Sequence, residues 1–385
     1  MPAMIKRKRK SRYGCRNCKL RKVKCDESQP QCRRCIAFGV RCNFRFNVPD
    51  LQPVLGHHAT VTIAASSKSG RNPSLVPPIT NGFWTQDKSG HFSMDAGDME
   101  LLRRFRLRTL SSLGDIHTVE IYEKYLLKLC FSCPFLMYGT LAVALAHDRY
   151  LGQPCTAHHS FRELNHWSRC IALFNTWLRQ PIEEEYKDLI WATAGALAIR
   201  AFSSISATSI EEAWPLGTPA STDLEWLRLG AGKMALWHIV DPLREASVFA
   251  VMCKSVSLRK PLPTQGTNGV SPELKQLCAI DDQSTQANNP YFTVAHSVSR
   301  YINAPPGDDL LHQTFGAMAS MNSQFQTLLT RKDRAALVLL SLWYSKAGKS
   351  KWWIEQRAKY ELAAIKAYLR RSHSRNDIIE ALLSS

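Results

Sequence analysis

Six cysteines crowd into the segment YGCRNCKLRKVKCDESQPQCRRCIAFGVRCNF, residues 13–44. Cys15, Cys18 and Cys25 are separated by two and then six residues, and Cys32, Cys35 and Cys42 repeat those spacings 17 positions later. Two cysteines two residues apart reach one ion from a single tight turn, so the pattern suits tetrahedral zinc held by sulfur at about 2.3 Å. A disulfide framework fits less well, because the opening MPAMIKRKRKSRYG is a charge run without the apolar stretch of a secretory signal. Two tetrahedral ions call for eight sulfur bonds from six cysteines, so without outside ligands two cysteines must bridge. The repeat offers three equivalent pairs, Cys15 with Cys32, Cys18 with Cys35, or Cys25 with Cys42, and spacing does not choose among them.

These sulfurs need positioning, and the segment has little apolar material for it. Leu20, Val23, Ile36, Phe38 and Val40 are its aliphatic and aromatic filling, too little to drive folding of so small a unit. Zinc is expected to supply the folding free energy, roughly 10 to 16 kcal/mol for structural sites in small peptides. A short helix is expected near Cys18, with Leu20 and Val23 on one face for packing and its N-terminal amides aimed at sulfur or phosphate.

The stretch resembles the fungal binuclear zinc-cluster transcription factors, whose pattern is Cys-x2-Cys-x6-Cys, a variable loop, then Cys-x2-Cys-x6-Cys. Every interval matches, and the loop DESQPQ carries Pro30 where members of that family turn the chain. The resemblance implies that two Zn²⁺ are bound, with Cys15 and Cys32 as bridges. One ion would also take Cys18 and Cys25, the other Cys35 and Cys42. It further implies that the helix of the first half enters the major groove of double-stranded DNA. There Lys22 would read guanine in a CGG-type triplet beside Arg21, and Lys19 and Lys24 would hold the backbone.

Charge supports the same reading. Residues 1–46 carry 15 Lys and Arg against Asp26 and Glu27, a formal +13 of the chain's +18. Two Zn²⁺ and six thiolates together leave this head at about +11, the electrostatic footprint of a nucleic-acid binder. The halves differ: KLRKVK follows Cys18 and the largely apolar IAFGVR follows Cys35, so the first should face DNA and the second support it. KRKRKSR, residues 6–12, is expected to serve both phosphate contact and nuclear import.

The rest of the chain is expected to be a linker followed by a helical domain. Residues 1–12 form the basic arm, 13–44 the cluster and 45–97 a Pro-, Ser- and Thr-rich linker containing His57 and His58, both read as solvated. Residues 98–385 are expected to make a large all-α domain, because helical periodicity recurs in stretches such as FRELNHWSRCIALFNTWL and DRAALVLLSLWYS while no run alternates with a strand's period; the resemblance described next implies that this domain is regulatory. HDRYL, EEAWPL, DLEWLRLGAGKMALW and DPLREASVF resemble the regulatory region of the sterol-uptake-control type of the same factors. That likeness implies a domain for self-association as a homodimer and for a small apolar ligand. No sustained heptad follows Cys42, so no coiled-coil dimer is expected. Trp191, Trp226 and Trp237 read as core.

Other signals are weaker. Cys130 and Cys133 read as buried thiols, and the spacing of Cys155, His158, His166 and Cys170 lies across what looks like an amphipathic helix. AGKS at 347–350 lacks the glycine a phosphate loop needs where Trp343 stands. CFSCPFLMYGTLAVALA, interrupted by Pro134 and Gly139, reads as a buried helix and not a membrane span. No nucleophile elbow, catalytic carboxylate pair or cofactor loop stands out, so an enzyme is not expected. The leading expectation is a nuclear, zinc-dependent, sequence-specific regulator of RNA polymerase II transcription. The alternative is a ligand-binding or protein-interaction regulator whose cluster contributes only weak or non-specific DNA contact. The tail RNDIIEALLSS could contact a coactivator or corepressor, or simply close the fold. Residues 1–46 should lose their ordered circular dichroism when zinc is chelated; an unchanged spectrum would refute a metal-driven fold.

Overall fold

In the computed structural model of the chain, residues 13–20, 23–38, 42–44, 94–152, 159–251, 261–305, 310–372 and 377–384 are described. They fall in two compact units, Met1–Pro77 and Pro78–Ser385. The basic arm, Arg21, Lys22, His57, His58, Cys155 and His158 lie outside the described residues.

The small unit is built as its sequence repeats. Helix α1 (Arg16–Leu20) follows Cys15 and helix α2 (Arg33–Phe38) follows Cys32. The Lys19 N–H donates to the Cys15 carbonyl at 3.2 Å, and the Ile36 N–H to the Cys32 carbonyl at 3.0 Å, so each half makes the same helical turn. The interior consists of the six cysteines, with Phe44 packed against them. Leu20, Val23 and Ile36, expected as filling, are instead 51%, 40% and 58% exposed. The Val23 N–H donates to the Cys18 carbonyl at 3.0 Å. Sulfur occupies the space that aliphatic side chains would otherwise fill.

The large unit is helical, as its periodicity predicts. Among the described residues no strand forms, and one isolated antiparallel bridge joins Gln265 and Thr285. Its principal helices are α3 (Ala96–Arg104), α4 (Pro134–Tyr150), α5 (Phe161–Leu178), α6 (Lys187–Phe202), α7 (Glu225–Ala235), α8 (Phe292–Asn303), α9 (Arg334–Ala347), α10 (Trp352–Ser372) and α11 (Asp377–Ser384). Helix α3 opens on a reciprocal cap, in which Asp95 Oδ1 accepts the Asp98 N–H at 2.8 Å and Asp98 Oδ2 accepts the Asp95 N–H at 3.4 Å. Pro134 is the first residue of α4, and Cys133 before it is extended, as a residue preceding proline prefers.

Helix α4 is the centre of one half of this core, packed by α3, α5, α6 and α10. The apolar stretch that begins at Cys130 is thus clad in protein, and among the described residues no helix is long and apolar enough to cross a membrane. At Gly139 the packing is close: a Cβ there would lie 3.2 Å from Cys170 Sγ and 3.3 Å from Ala196 Cβ. Helix α9 centres the other half, packed by α8, α10 and α11. The halves meet at an aromatic junction where Trp226 stacks on Trp343 at 5.7 Å and Phe202 lies 4.6 Å from Trp226 and 5.4 Å from Trp353. Trp191 and Trp237 pack edge to face at 5.6 Å. The three tryptophans singled out in the sequence therefore all pack in the helical core.

Two segments depart from the regular helices their periodicity predicts. Residues Phe105–Thr109 and Tyr122–Leu126 are π-helical turns. In the first, the Leu110 N–H donates to the Phe105 carbonyl five residues back. The wider turn brings Phe105 and Leu110 toward one face, where both are buried, whereas α-helical spacing would splay them.

Charges inside the large unit are paired. Glu163, 1% exposed, receives Arg149 at 3.1 Å and Arg200 at 3.0 Å. Burial alone would raise the Glu163 carboxyl, but His159, Arg200 and Arg149 hold it down to about 2. A depressed carboxyl contributes stability above its unfolded value near 4.5, and that contribution is lost as pH falls from there toward 2. Between pH 7 and pH 3 this site should cost the large unit on the order of 2 kcal/mol of unfolding free energy. Urea titrations should show Glu163→Gln losing that much less over the same interval; an equal acid loss in variant and parent would show the network to be idle.

Candidate metal centre

The repeat in the chain becomes a repeat in the cage. The Cys18 N–H donates to Cys15 Sγ at 3.4 Å, and 17 residues later the Cys35 N–H donates to Cys32 Sγ at 3.3 Å. Each helix start therefore directs an amide at the sulfur before it, a contact that favours thiolate. The Glu27 N–H does the same for Cys25 at 3.4 Å.

All six cysteines are buried. Cys15 Sγ lies 3.8 Å from Cys32 Sγ and 3.5 Å from Cys35 Sγ, and Cys18 Sγ lies 3.6 Å from Cys32 Sγ. The sulfurs of Cys15, Cys18, Cys32 and Cys35 all lie within 4.8 Å of one another. A tetrahedron with zinc–sulfur bonds of about 2.3 Å has an edge of about 3.8 Å, so these separations fit shared zinc coordination and exceed a disulfide bond. The thiols of Cys18, Cys35 and Cys42 each meet both Cys15 and Cys32, while Cys18 also senses Cys25 and Cys35 senses Cys42. Burial first, then bonds to Cys15 and Cys32, push the thiols of Cys18 and Cys35 far above their ordinary value. In Cys42 burial outweighs a backbone hydrogen bond and raises the thiol to about 12. Such a cage stays protonated unless divalent cations supply the opposing charge.

Three polar residues close the unit, and none was singled out from the sequence. Asn43 Oδ1 accepts the Asn17 N–H at 2.7 Å, and the Asn43 carbonyl accepts the Arg16 N–H at 3.5 Å. Asn17 and Asn43 are both buried, so the segment after the last cysteine is tied to the first helix. Asp26 Oδ2 accepts from Ser28 Oγ at 2.6 Å and from the Arg33 N–H at 3.2 Å, which satisfies the first amide of α2. The Ser28 bond, ahead of those from the backbone, holds the Asp26 carboxyl below its ordinary range. A lone Asn beside a cysteine has no distinctive spacing; only the fold reveals these roles.

Lys19 and Lys24 are exposed, as are Arg16, Arg33 and Arg34, so cationic side chains surround the sulfur interior. In the large unit the other candidates serve packing. His166 Nε2 meets Asp98 Oδ1 at 3.1 Å, Cys170 sits against Gly139, and Cys130 meets Thr140 Oγ1 at 3.2 Å. Burial raises the Cys130 thiol to about 12.

A module with sulfur for a core and cations for a surface belongs to the zinc-stabilised miniature domains. Residues 13–48 match the fungal Zn(2)-Cys(6) binuclear cluster domain, and two Zn²⁺ are its cofactor. The chain is also similar to curated fungal proteins. The Zn(2)-C6 fungal-type transcription factor afumD of Aspergillus fumigatus is 30% identical over 142 residues, 36% of this chain and 33% of that protein. The pestheic acid cluster transcriptional regulator 3 of Pestalotiopsis fici is 24% identical across 42% of this chain and 39% of its own. Sterol uptake control protein 2 of Saccharomyces cerevisiae is 51% identical over 35 residues, 9% of this chain and 4% of that protein. The chain thus spans about a third of the length of the first of these relatives. The match to the sterol-uptake-control protein is a short N-terminal one, which corrects the likeness expected in the C-terminal region. Short patches such as HDRYL and EEAWPL are too brief to carry relatedness where many helical sequences share similar composition.

Asn43→Ala should cost about 1 to 3 kcal/mol, because it strands the buried Asn17 amide. Zinc release followed with a chromogenic chelator should then begin at lower chelator concentration than in the parent. Identical release curves would mean that the clamp carries no weight.

Proposed function

We propose that the chain is a zinc-dependent, sequence-specific DNA-binding regulator of RNA polymerase II transcription that acts in the nucleus and is not an enzyme. The observation that carries this reading is the buried six-sulfur cage ringed by exposed cations, a rigid cationic surface of the kind that neutralises phosphate. In this reading Cys15 and Cys32 bridge two Zn²⁺, with Cys18 and Cys25 completing one site and Cys35 and Cys42 the other. The separations of 3.5–3.8 Å around Cys15 and Cys32 support that division. Lys22 reads guanine from the major groove with Arg21 beside it, and Lys19 and Lys24 hold phosphates.

The chain is read as a basic arm over 1–12, the cluster over 13–44, a linker over 45–97 and a regulatory domain over 98–385. The regulatory domain takes on self-association as a homodimer, contact with a coactivator or corepressor, and response to a small apolar ligand. The buried ion pairs that lock its helices support a folded control module distinct from a simple tether.

Binding titrations on matched and mismatched duplexes test the base-reading assignment. Lys22→Ala should weaken the matched site by roughly 1 to 3 kcal/mol and relax sequence choice. Lys24→Ala should weaken all duplexes alike and lower the salt slope by about one. Salt-sensitive, sequence-blind binding by the parent protein would favour the alternative of a regulator whose cluster only recruits it to DNA.

A further inference from the structure

Sulfur and Phe44 complete the interior of the cluster unit, and Leu20 and Val23 remain at its surface. Apolar side chains scattered singly over a surface carry no message. These two stand inside KLRKVK, residues 19–24, where every other position is lysine or arginine. Lys19 and Lys24, the ends of that run, are exposed as well. The bond from the Val23 N–H to the Cys18 carbonyl holds Val23 to the helix that carries Leu20.

A strip of this kind, apolar at its centre and cationic around it, matches a partner that is anionic around an apolar point. The major groove of DNA has that chemistry. Phosphates border it, and among the four unmodified bases thymine alone presents a methyl group there, on C5. We infer that Leu20 takes the C5-methyl of a thymine lying within two base pairs of the guanine-rich triplet. This inference rests on the DNA-binding reading and deepens it, because it adds a base to the recognised sequence. Leu20 stands two residues before Lys22, so the chain keeps their Cα atoms within about 7 Å. That is the length of two base-pair steps of about 3.4 Å each.

The second half of the cluster supplies an internal comparison. Ile36 on α2 is as exposed as Leu20 on α1. It begins IAFGVR, however, where Arg41 is the one cation in the six residues after Cys35, against four cations in the six after Cys18. Exposure is thus common to the two helices, while the cationic frame belongs to the first.

Anisotropy titrations of the full zinc-loaded chain on duplexes bearing a CGG triplet test the assignment. Each thymine within two base pairs of the triplet is replaced in turn by uracil, which lacks only the methyl. One such uracil should weaken binding about fourfold, the worth of one buried methyl group. At the same position 5-methylcytosine should bind better than cytosine by a similar factor. Leu20→Ala should bind the thymine and uracil duplexes equally, with zinc content and circular dichroism as in the parent, whereas Leu20→Met should retain most of the preference. Ile36→Ala should keep it in full. A parent that separates CGG from mismatched triplets yet ignores every uracil would overturn this inference alone, and sequence-blind binding would overturn it together with the base-reading assignment. A uracil penalty that persists in Leu20→Ala would give the methyl to another side chain and overturn it as well.

Discussion

Buried thiols held within van der Waals reach of one another are the constraint on which the small unit depends. With Cys15, Cys18, Cys32 and Cys35 this close, ionised sulfurs repel strongly unless cations stand among them. Zinc therefore does more than tie two loops together. It turns an electrostatic conflict into the cohesive element of a domain that has almost no other interior. The amides of Cys18, Cys35 and Glu27 turn toward the sulfurs for the same reason, since each adds a fixed dipole where negative charge gathers.

That arrangement frees the exterior. Because sulfur fills the centre, Leu20, Val23 and Ile36 are left at the surface among lysines and arginines. A conventional domain of this size would have to bury them and would leave less perimeter for charge. The large unit solves the opposite problem. Its interior is ample, and its difficulty is to hold charges inside, which it does by matching Glu163 with two arginines and by closing Arg357 on backbone carbonyls and Glu361.

What the sequence disclosed follows from which forces leave a periodic or spaced trace. The six cysteines were legible because a tetrahedral ion dictates spacing, and α5, read from FRELNHWSRCIALFNTWL, spans Phe161–Leu178 as its pattern requires. The π turns at Phe105 and Tyr122 were not legible, since a locally widened turn keeps nearly the same apolar period as an α-helix. The exposure of Leu20 and Val23 was missed because composition says how much apolar material exists and not what displaces it. Asn17 and Asn43 were missed because a side chain that satisfies one amide 26 residues away leaves no local signature. The pairing of Cys15 with Cys32 as the most connected sulfurs was likewise hidden in the spacing, which treats three pairs alike, and becomes visible only as contacts.

The Asn43 bonds to Arg16 and Asn17 bring the incoming and outgoing ends of the cluster to one point on its surface. A miniature domain that starts and finishes in the same place is topologically a closed appendage. It can be spliced into a tight turn of an unrelated host without prying that turn apart.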